Sequence, residues 1–251
     1  MIKDEKIKAS HAALSDYNFV VMKKMVVYTA ITSGYDVLKD PPPHWRATAD
    51  FVAFLSTEFA NTQWVYRPIY KRFRDPCRNA KIHKILAHKY FPQAEYSLWI
   101  DGTISIISPL PLNEWVERYL KNHDLAVFRH WHRNCAYEEA KKCMLGQLDD
   151  PQIIERQMQK YFDNGYPRAN GLAECSVLLR RHTSRIKRFN EKWWDEIRQH
   201  SRRDQLSFNY VADRLGVTYF ELPGYLPYKG ITGGNNHFQK SRHDAPHSKP
   251  Q

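Results

Sequence analysis

The stretch Glu95-Tyr-Ser-Leu-Trp-Ile-Asp-Gly-Thr103 limits the fold more than any other part of this chain. Apolar residues at 96 and 98–100 run together and stop at an aspartate and a glycine. A strand covered on both faces needs apolar side chains on both, so a run without alternation reads as an interior strand. Asp101 then falls where that strand leaves the sheet, and open α/β sheets hold ligands at the carboxyl ends of their strands. Gly102 lets the backbone turn tightly beside a bound group. A turn aspartate bonding to its own loop accounts for the same residues with no ligand.

The chain around this strand supplies its partners. Met25–Ile31 is a second apolar run, ended by the turn Thr32-Ser-Gly-Tyr-Asp36, and Phe51–Leu55 is a third. Pro41-Pro-Pro43 predicts a loop without regular structure. Tyr70 to Tyr90 places Ile82, Ile85, Leu86 and Tyr90 at helical spacing, predicting a helix that ends before Pro92. Two strands, a helix and another strand argue for a mainly parallel sheet covered by helices. Later spacing predicts helices over 113–120 (capped by Asn113), 137–144, 151–163 and 189–200, with strands at 124–128, 173–180 and 217–220. Ser201-Arg-Arg-Asp204 matches a capping box opening a helix through Leu215. Residues 1–16 read as a flexible leader, 17–238 as one domain and 239–251 as a flexible tail.

Seven Trp, 15 Tyr and 12 Phe exclude disorder throughout. The four cysteines form no C-x-x-C pair, so neither a zinc knuckle nor a disulfide framework is indicated. No apolar run reaches export or membrane-spanning length. These features predict a cytoplasmic chain, with peripheral attachment to the inner membrane face through basic surface as a further option. The net charge of +11 suits anionic partners, whether nucleic acid, membrane or a phosphorylated small molecule. Dinucleotide-binding, P-loop, zinc-protease and serine-hydrolase signatures are missing.

Six features carry possible chemistry. Asp101 offers a hard carboxylate for Mg²⁺ or Mn²⁺ carrying phosphate oxygens. The segment Arg67–Lys89 holds eight Arg/Lys against one acid, and Arg72, Arg78, Lys81 or Lys84 can face a diphosphate, unless the run is only a solvated helix face. His130-x-His132-Arg133 ends a strand, where histidine serves as acid, base or ligand. Glu174 precedes an apolar run and is either functional or the solvent end of a strand. Asp204 is explained by helix capping alone unless something else engages it, and His237 sits in a loop able to close over a ligand or in a tail.

The order of these pieces adds a further reading. Arg78-x-x-Lys81-x-x-Lys84-x-Leu86-x-His88, Tyr96–Gly102, Phe128-Arg-His130-x-x-Arg133-x-x-x-Tyr137-Glu-Glu139, Gly171-Leu-x-Glu174 and Ser201-x-Arg-Asp-Gln205-x-Ser-Phe208 follow in sequence. The set resembles a glycosyltransferase-like family of plant Golgi proteins of mucilage and cell-wall synthesis and their bacterial relatives, over about residues 25–220. The resemblance implies a GT-A-like α/β fold, a Rossmann-like, mainly parallel central sheet flanked by helices. It places Thr29, Gly34 and Asp36 near the nucleotide, Arg78 and Lys81 near diphosphate or sugar, and Asp101 as the metal-carrying acid. Asp204 and Gln205 look like the pair that contacts the donor sugar, with Glu174 close to the reaction centre. His237 is loosely similar to a late histidine that completes a metal shell with Asp101. Where such enzymes carry Asp-x-Asp this chain has Asp101-Gly102-Thr103, so Mn²⁺ or Mg²⁺ is expected only if other groups complete the shell. His130, Arg133 and Glu138 are assigned to the acceptor.

The expectation is a transferase moving sugar from a nucleoside-diphosphate sugar to a hydroxyl of a glycan acceptor, in polysaccharide biosynthesis. Glu174 and Asp204 are both candidates to accept the hydroxyl proton. A nucleic-acid-binding module is the rival, disfavoured because acids sit at the strand ends and no RRM, KH or zinc-finger signature occurs. A catalytically inactive scaffold is the third reading.

Overall fold

The computed structural model describes residues 24–58, 62–228 and 234–243, so the expected leader over 1–16 lies outside the described residues. Seven strands form one sheet: β1 (Met25–Ile31), β2 (Asp50–Leu55), β3 (Val65–Pro68), β4 (Tyr96–Ile100), β6 (Leu125–Arg129), β7 (Ala173–Arg181) and β8 (Phe220–Leu222). Their order is β3-β2-β1-β4-β7-β6-β8. All run the same way except β7, which is antiparallel to both β4 and β6. A two-stranded ribbon pairs β5 (Ile104–Ile106) with β9 (Phe238–Lys240).

The unbroken apolar runs have a simple cause. Val26, Tyr28 and Ala30 of β1 face one core, while Met25, Val27 and Ile31 face the other. Trp99 of β4 joins the first core, and Leu98 and Ile100 the second. The first core is closed by α2 (Pro76–Ile85), α3 (Ala87–Tyr90), α5 (Ala136–Leu145), α6 (Pro151–Asp163), α7 (Ser184–Gln199) and α8 (Asp204–Arg214). The second is closed by α1 (Pro43–Arg46), α4 (Leu112–Tyr119) and Phe238 of the ribbon. Both faces of the sheet are dry, so neither face needs polar alternation. This is the α/β architecture, a mainly parallel central sheet flanked by helices, that the resemblance implies.

Several boundaries differ from the sequence reading. The helix expected from Tyr70 starts at Pro76, because Asp75 accepts the Cys77 N–H (2.9 Å) and proline fills the first turn. Upstream, the backbone at Arg72 and Phe73 is held by the Asn79 side chain instead. Pro43, expected in a loop, opens the single turn α1. Asn113 does not cap α4, whose N-cap is Pro111. Thr183 caps α7 well before the expected start at 189. Strand β8 begins at Phe220 because the Val217 N–H still bonds to Ala212 O (2.8 Å) beyond the end of α8. The expected tail boundary at 238/239 falls inside β9, and residues 244–251 lie outside the described residues.

Candidate active site

With β7 reversed, the carboxyl ends of the other six strands and the amino end of β7 share one edge of the sheet. Asp101 leaves β4 there, its N–H bonded to Ser176 O of β7 (2.8 Å). Helix α2 brings Lys81 and Lys84 over the same point, since residues three apart share a helix face. Lys84 Nζ lies 3.0 Å from Asp101 Oδ1 and 2.7 Å from Asp204 Oδ2. Lys81 Nζ lies 2.6 Å from that same Asp204 oxygen. Trp99 Nε1 donates to Asp101 Oδ1 at 2.6 Å. Two aspartates that are 103 positions apart in sequence thus meet through one ammonium.

Lys84 is 1% exposed, and a charge so placed requires charged partners. Burial works against its ammonium, but Asp101 and Asp204 outweigh burial and hold it protonated well above the ordinary lysine range. The converse holds for the acids. Burial pushes the Asp204 carboxyl up, yet Lys81 and Lys84 drive it far below the usual carboxylate range. Burial likewise raises Asp101, and Lys84 and Lys81 with the Trp99 indole bring it below its ordinary value. The backbone that carries Lys84 is fixed from beneath: its carbonyl accepts from Tyr28 Oη (2.7 Å) and from Arg180 Nη2 (2.7 Å). Arg180 is itself fully buried and also bonds to Ile85 O and Asn190 Oδ1.

Asp204 is the first residue of α8, but not as the acid of a capping box. Ser201 Oγ donates to Asp149 Oδ2 (2.7 Å) rather than capping the helix, and Asp204 is left to the lysines. Its neighbour Gln205 turns to the second carboxylate centre. Gln205 Nε2 donates to Glu174 Oε2 (3.3 Å) and Ala173 O (3.2 Å). Ser176 Oγ and Lys240 Nζ donate to Glu174 Oε1 at 2.5 and 3.4 Å. Glu174 reaches this position because the β6–β7 register jumps from Val127↔Leu178 to Phe128↔Glu174, leaving residues 175–177 unpaired with β6 while Val177 still pairs with Ile100 of β4. Consecutive residues of one helix start therefore hold one carboxylate cluster each.

The other expected donor residues divide. Gly34 has a positive φ of 65° in the turn after β1, with open space where a side chain would project. Asp36 is buried and presses on Gly102, where an added Cβ would stand 2.8 Å from Asp36 Oδ2. His243 Nδ1 lies 2.9 Å from Asp36 Oδ1, and its ring lies 4.3 Å from that of Tyr35. Thr29 is enclosed within β1 at 1% exposure, its hydroxyl without a hydrogen-bond partner among the described residues. Arg78 is committed elsewhere: it bonds to Asp75 Oδ2 (2.9 Å), Ile197 O and His200 O, tying α2 to the end of α7. The charge of Arg67–Lys89 is thus divided: Arg78, Lys81 and Lys84 are engaged in internal pairs, while Lys71, Arg72 and Arg74 are exposed.

On the expected acceptor side, His130 Nδ1 accepts the N–H groups of His132 (3.2 Å) and Arg133 (3.1 Å). Burial lowers the His130 pKa, with nearby Glu174 acting against that shift. The carboxylate facing this group is Glu139, 2.6 Å from Arg133 Nε; Glu138, the residue expected, points to solvent. On an amphipathic helix adjacent residues face apart, and Glu139 carries the inward register of α5.

His237 does not join Asp101 in the manner expected of a metal shell. Its Nδ1 lies 3.0 Å from Ser108 Oγ and its ring packs edge-on against Trp115. Thr103, where a second carboxylate would stand, is buried. One Asp101 oxygen already takes both an ammonium and an indole, and among the described residues no three His, Cys, Asp or Glu side chains gather to hold a metal ion. This donor set does not fit a protein-built Mn²⁺ or Mg²⁺ shell.

Sequence reasoning named Lys84 within a basic run but did not single it out. The signal was its three-residue spacing from Lys81. Lys240 gave none, because it reaches Glu174 from 66 residues away on the β5–β9 ribbon, and Ser176, two residues along the same strand, was passed over.

Comparison with known proteins follows the same lines. The profile described as "TOD1/MUCI70, glycosyltransferase-like domain" matches residues 65–223. The Arabidopsis thaliana protein named "Probable hexosyltransferase MUCI70" is 32% identical over 156 residues, covering 58% of this chain and 26% of that protein. "Alkaline ceramidase TOD1" from the same plant is 24% identical over 238 residues, covering 80% of this chain and 51% of that protein. The chain spans about a quarter and about half of the lengths of these relatives. Similar solved structures include a glycosyltransferase involved in glycosylation of the PBCV-1 major capsid (TM-score 0.44, 11% identity, 81% of this chain and 84% of that one). Core-mannan synthase A of Aspergillus fumigatus in a Mn/GDP form is another (TM-score 0.47, 8% identity, 94% and 82%). Among the described residues no helix is long and apolar enough to cross a membrane.

Proposed function

The chain belongs to the TOD1/MUCI70 glycosyltransferase-like family, and from that premise we propose that it moves a sugar from a nucleoside-diphosphate donor to a glycan hydroxyl. The observation that carries the reading is the Lys84 ammonium bridging Asp101 and Asp204, with Gln205 linking the same helix start to Glu174.

In a single displacement the bond from the anomeric carbon to the diphosphate oxygen breaks while an acceptor oxygen bonds to that carbon. The diphosphate leaves with the electron pair, and its growing charge needs fixed positive groups. Lys81, at 15% side-chain exposure, is the ammonium best placed to meet it, with Lys84 behind. The hydroxyl proton needs a carboxylate, and the two candidates differ. Asp204 is held at very low basicity by two ammoniums and anchors the lysines. Glu174, held by an amide, a hydroxyl and one more distant ammonium, is the proton acceptor in this account.

The test is a panel of nucleotide sugars with glycan acceptors, scored by released nucleoside diphosphate, for wild type and Glu174→Gln. The proposal expects turnover with at least one donor and a loss of 100-fold or more in kcat in the variant, in line with removal of a general base. Ceramide hydrolysis by the wild type without nucleotide-sugar turnover would refute it.

A further inference from the structure

Trp131 is 54% exposed, yet the turn carrying it is tightly held. The His130 N–H bonds to Leu172 O (2.7 Å), the His130 ring accepts the N–H groups of His132 and Arg133, and Arg133 is locked to Glu139. Beside it the chain leaves β8 through Pro223-Gly-Tyr225. The Tyr225 ring stacks with Trp131, centroids 5.8 Å apart and planes 17° apart. This second segment is held as well: Asn235 Nδ2 donates to Tyr225 O (2.6 Å). A Cβ on Gly224 would stand 2.3 Å from Gly234 O, so the two segments lie backbone to backbone. Neighbouring parallel strands β6 and β8 therefore each end in an aromatic ring on a pinned loop, and the two rings stack with nearly parallel planes as one aromatic step.

Large exposed aromatic surface is retained where something covers it. The step lies on the edge that carries Glu174, since Phe128, three residues before Trp131, pairs with Glu174. Three residues of extended chain span at most about 11 Å, within reach of a short oligosaccharide. A pyranose ring has a flat C–H face rimmed by hydroxyls, and a rigid aromatic plane with a polar tip and polar neighbours complements it. The His132 ring lies against Trp131 at a tilt of 37° and forms part of the step, and exposed Asn134 follows in sequence.

We propose that Trp131 and Tyr225 form a stacking platform for a sugar ring of the acceptor glycan, an inference that rests on the transferase reading for its role but not for its binding. The experiment titrates a panel of neutral and acidic tetrasaccharides into wild type, Trp131→Ala and Trp131→Phe by calorimetry, with a nucleoside-diphosphate thermal shift run in parallel. At least one tetrasaccharide is expected to bind wild type, to bind Trp131→Ala at least tenfold more weakly, and to recover to within about threefold in Trp131→Phe. The nucleotide shift should be the same in all three. Equal affinity in Trp131→Ala, binding of no tetrasaccharide by wild type, or a Trp131-dependent affinity for a single-stranded oligonucleotide instead would overturn the platform. Trp131-dependent glycan binding in a chain that turns over no nucleotide sugar would sustain the platform and sink the transferase reading.

Discussion

The two halves of the sheet's functional edge are built from opposite materials. At the ends of β1 and β4, four charges lie within ion-pair distance under α2, and Lys84 and Asp204 are nearly sealed from water. At the ends of β6 and β8, Trp131 and Tyr225 stack near the surface, the Arg133–Glu139 pair lies beside them, and the charges of Arg129 and Glu221 are exposed to water rather than sealed in a cluster. Charge in a dry place is strong but obligatory, because each ion depends on its partner. Aromatic surface in a wet place contributes little to the fold and remains available for a ligand. The first half therefore suits a polyanion whose position must be fixed, and the second an uncharged ring.

Substitutions should separate the halves by their cost to stability. Asp204→Ala leaves Lys81 and Lys84 facing each other without a shared acid, and should cost about 3–5 kcal/mol in urea unfolding. A cost below about 1 kcal/mol would mean that the buried cluster is not built as described. Trp131→Ala, by contrast, should change unfolding free energy by no more than about 0.5 kcal/mol, as for an ordinary surface position.

Acid gives an intermediate effect and sharpens the contrast by pH window. His83 and His182 are held near pKa 3, by burial first in both, against an ordinary 6.5. His83 takes the Tyr70 N–H on Nε2 and stacks on Phe54, while its Nδ1 has no hydrogen-bond partner among the described residues. Between pH 6.5 and 3 the unfolded chain binds these protons and the folded chain does not, so stability falls as pH falls, by about 1.4 kcal/mol per unit for buried His83 and by less for partly exposed His182. Asp101 and Asp204 are depressed instead, so their contribution is present above the ordinary carboxylate pKa of 3.8 and is lost only below it. His83→Gln should flatten the unfolding curve between pH 6.5 and 4 and leave the steeper loss below pH 3.8 in place. An unchanged slope in the upper window would show that His83 is protonated in the fold.

The legible parts of this architecture were the ones written in local pattern. Runs such as Met25–Ile31 and Tyr96–Ile100 gave the interior strands because both faces of the sheet are dry. Lys81 with Lys84, and Asp204 with Gln205, could be picked out by spacing and by resemblance. What local pattern could not give was partnership over distance. The capping-box reading of Ser201–Asp204 failed because Asp149, more than fifty residues earlier, engages the serine. Arg78 looked like a phosphate ligand, but the end of α7 offers carbonyls that hold it. Glu138 and Glu139 are adjacent and chemically alike, and only the packing of α5 decides which turns inward.

The central claim is that the lysines of α2, anchored by Asp204, receive the diphosphate of the donor. Lys81→Gln tests it most directly, because the Lys84–Asp204 and Lys84–Asp101 pairs survive the change and the fold is preserved. The measurement is nucleoside-diphosphate affinity of wild type and Lys81→Gln by calorimetry, with EDTA present throughout. The account predicts saturable binding by wild type without added metal and at least tenfold weaker binding by the variant. Equal affinities, or binding by wild type only after Mn²⁺ is restored, would contradict it.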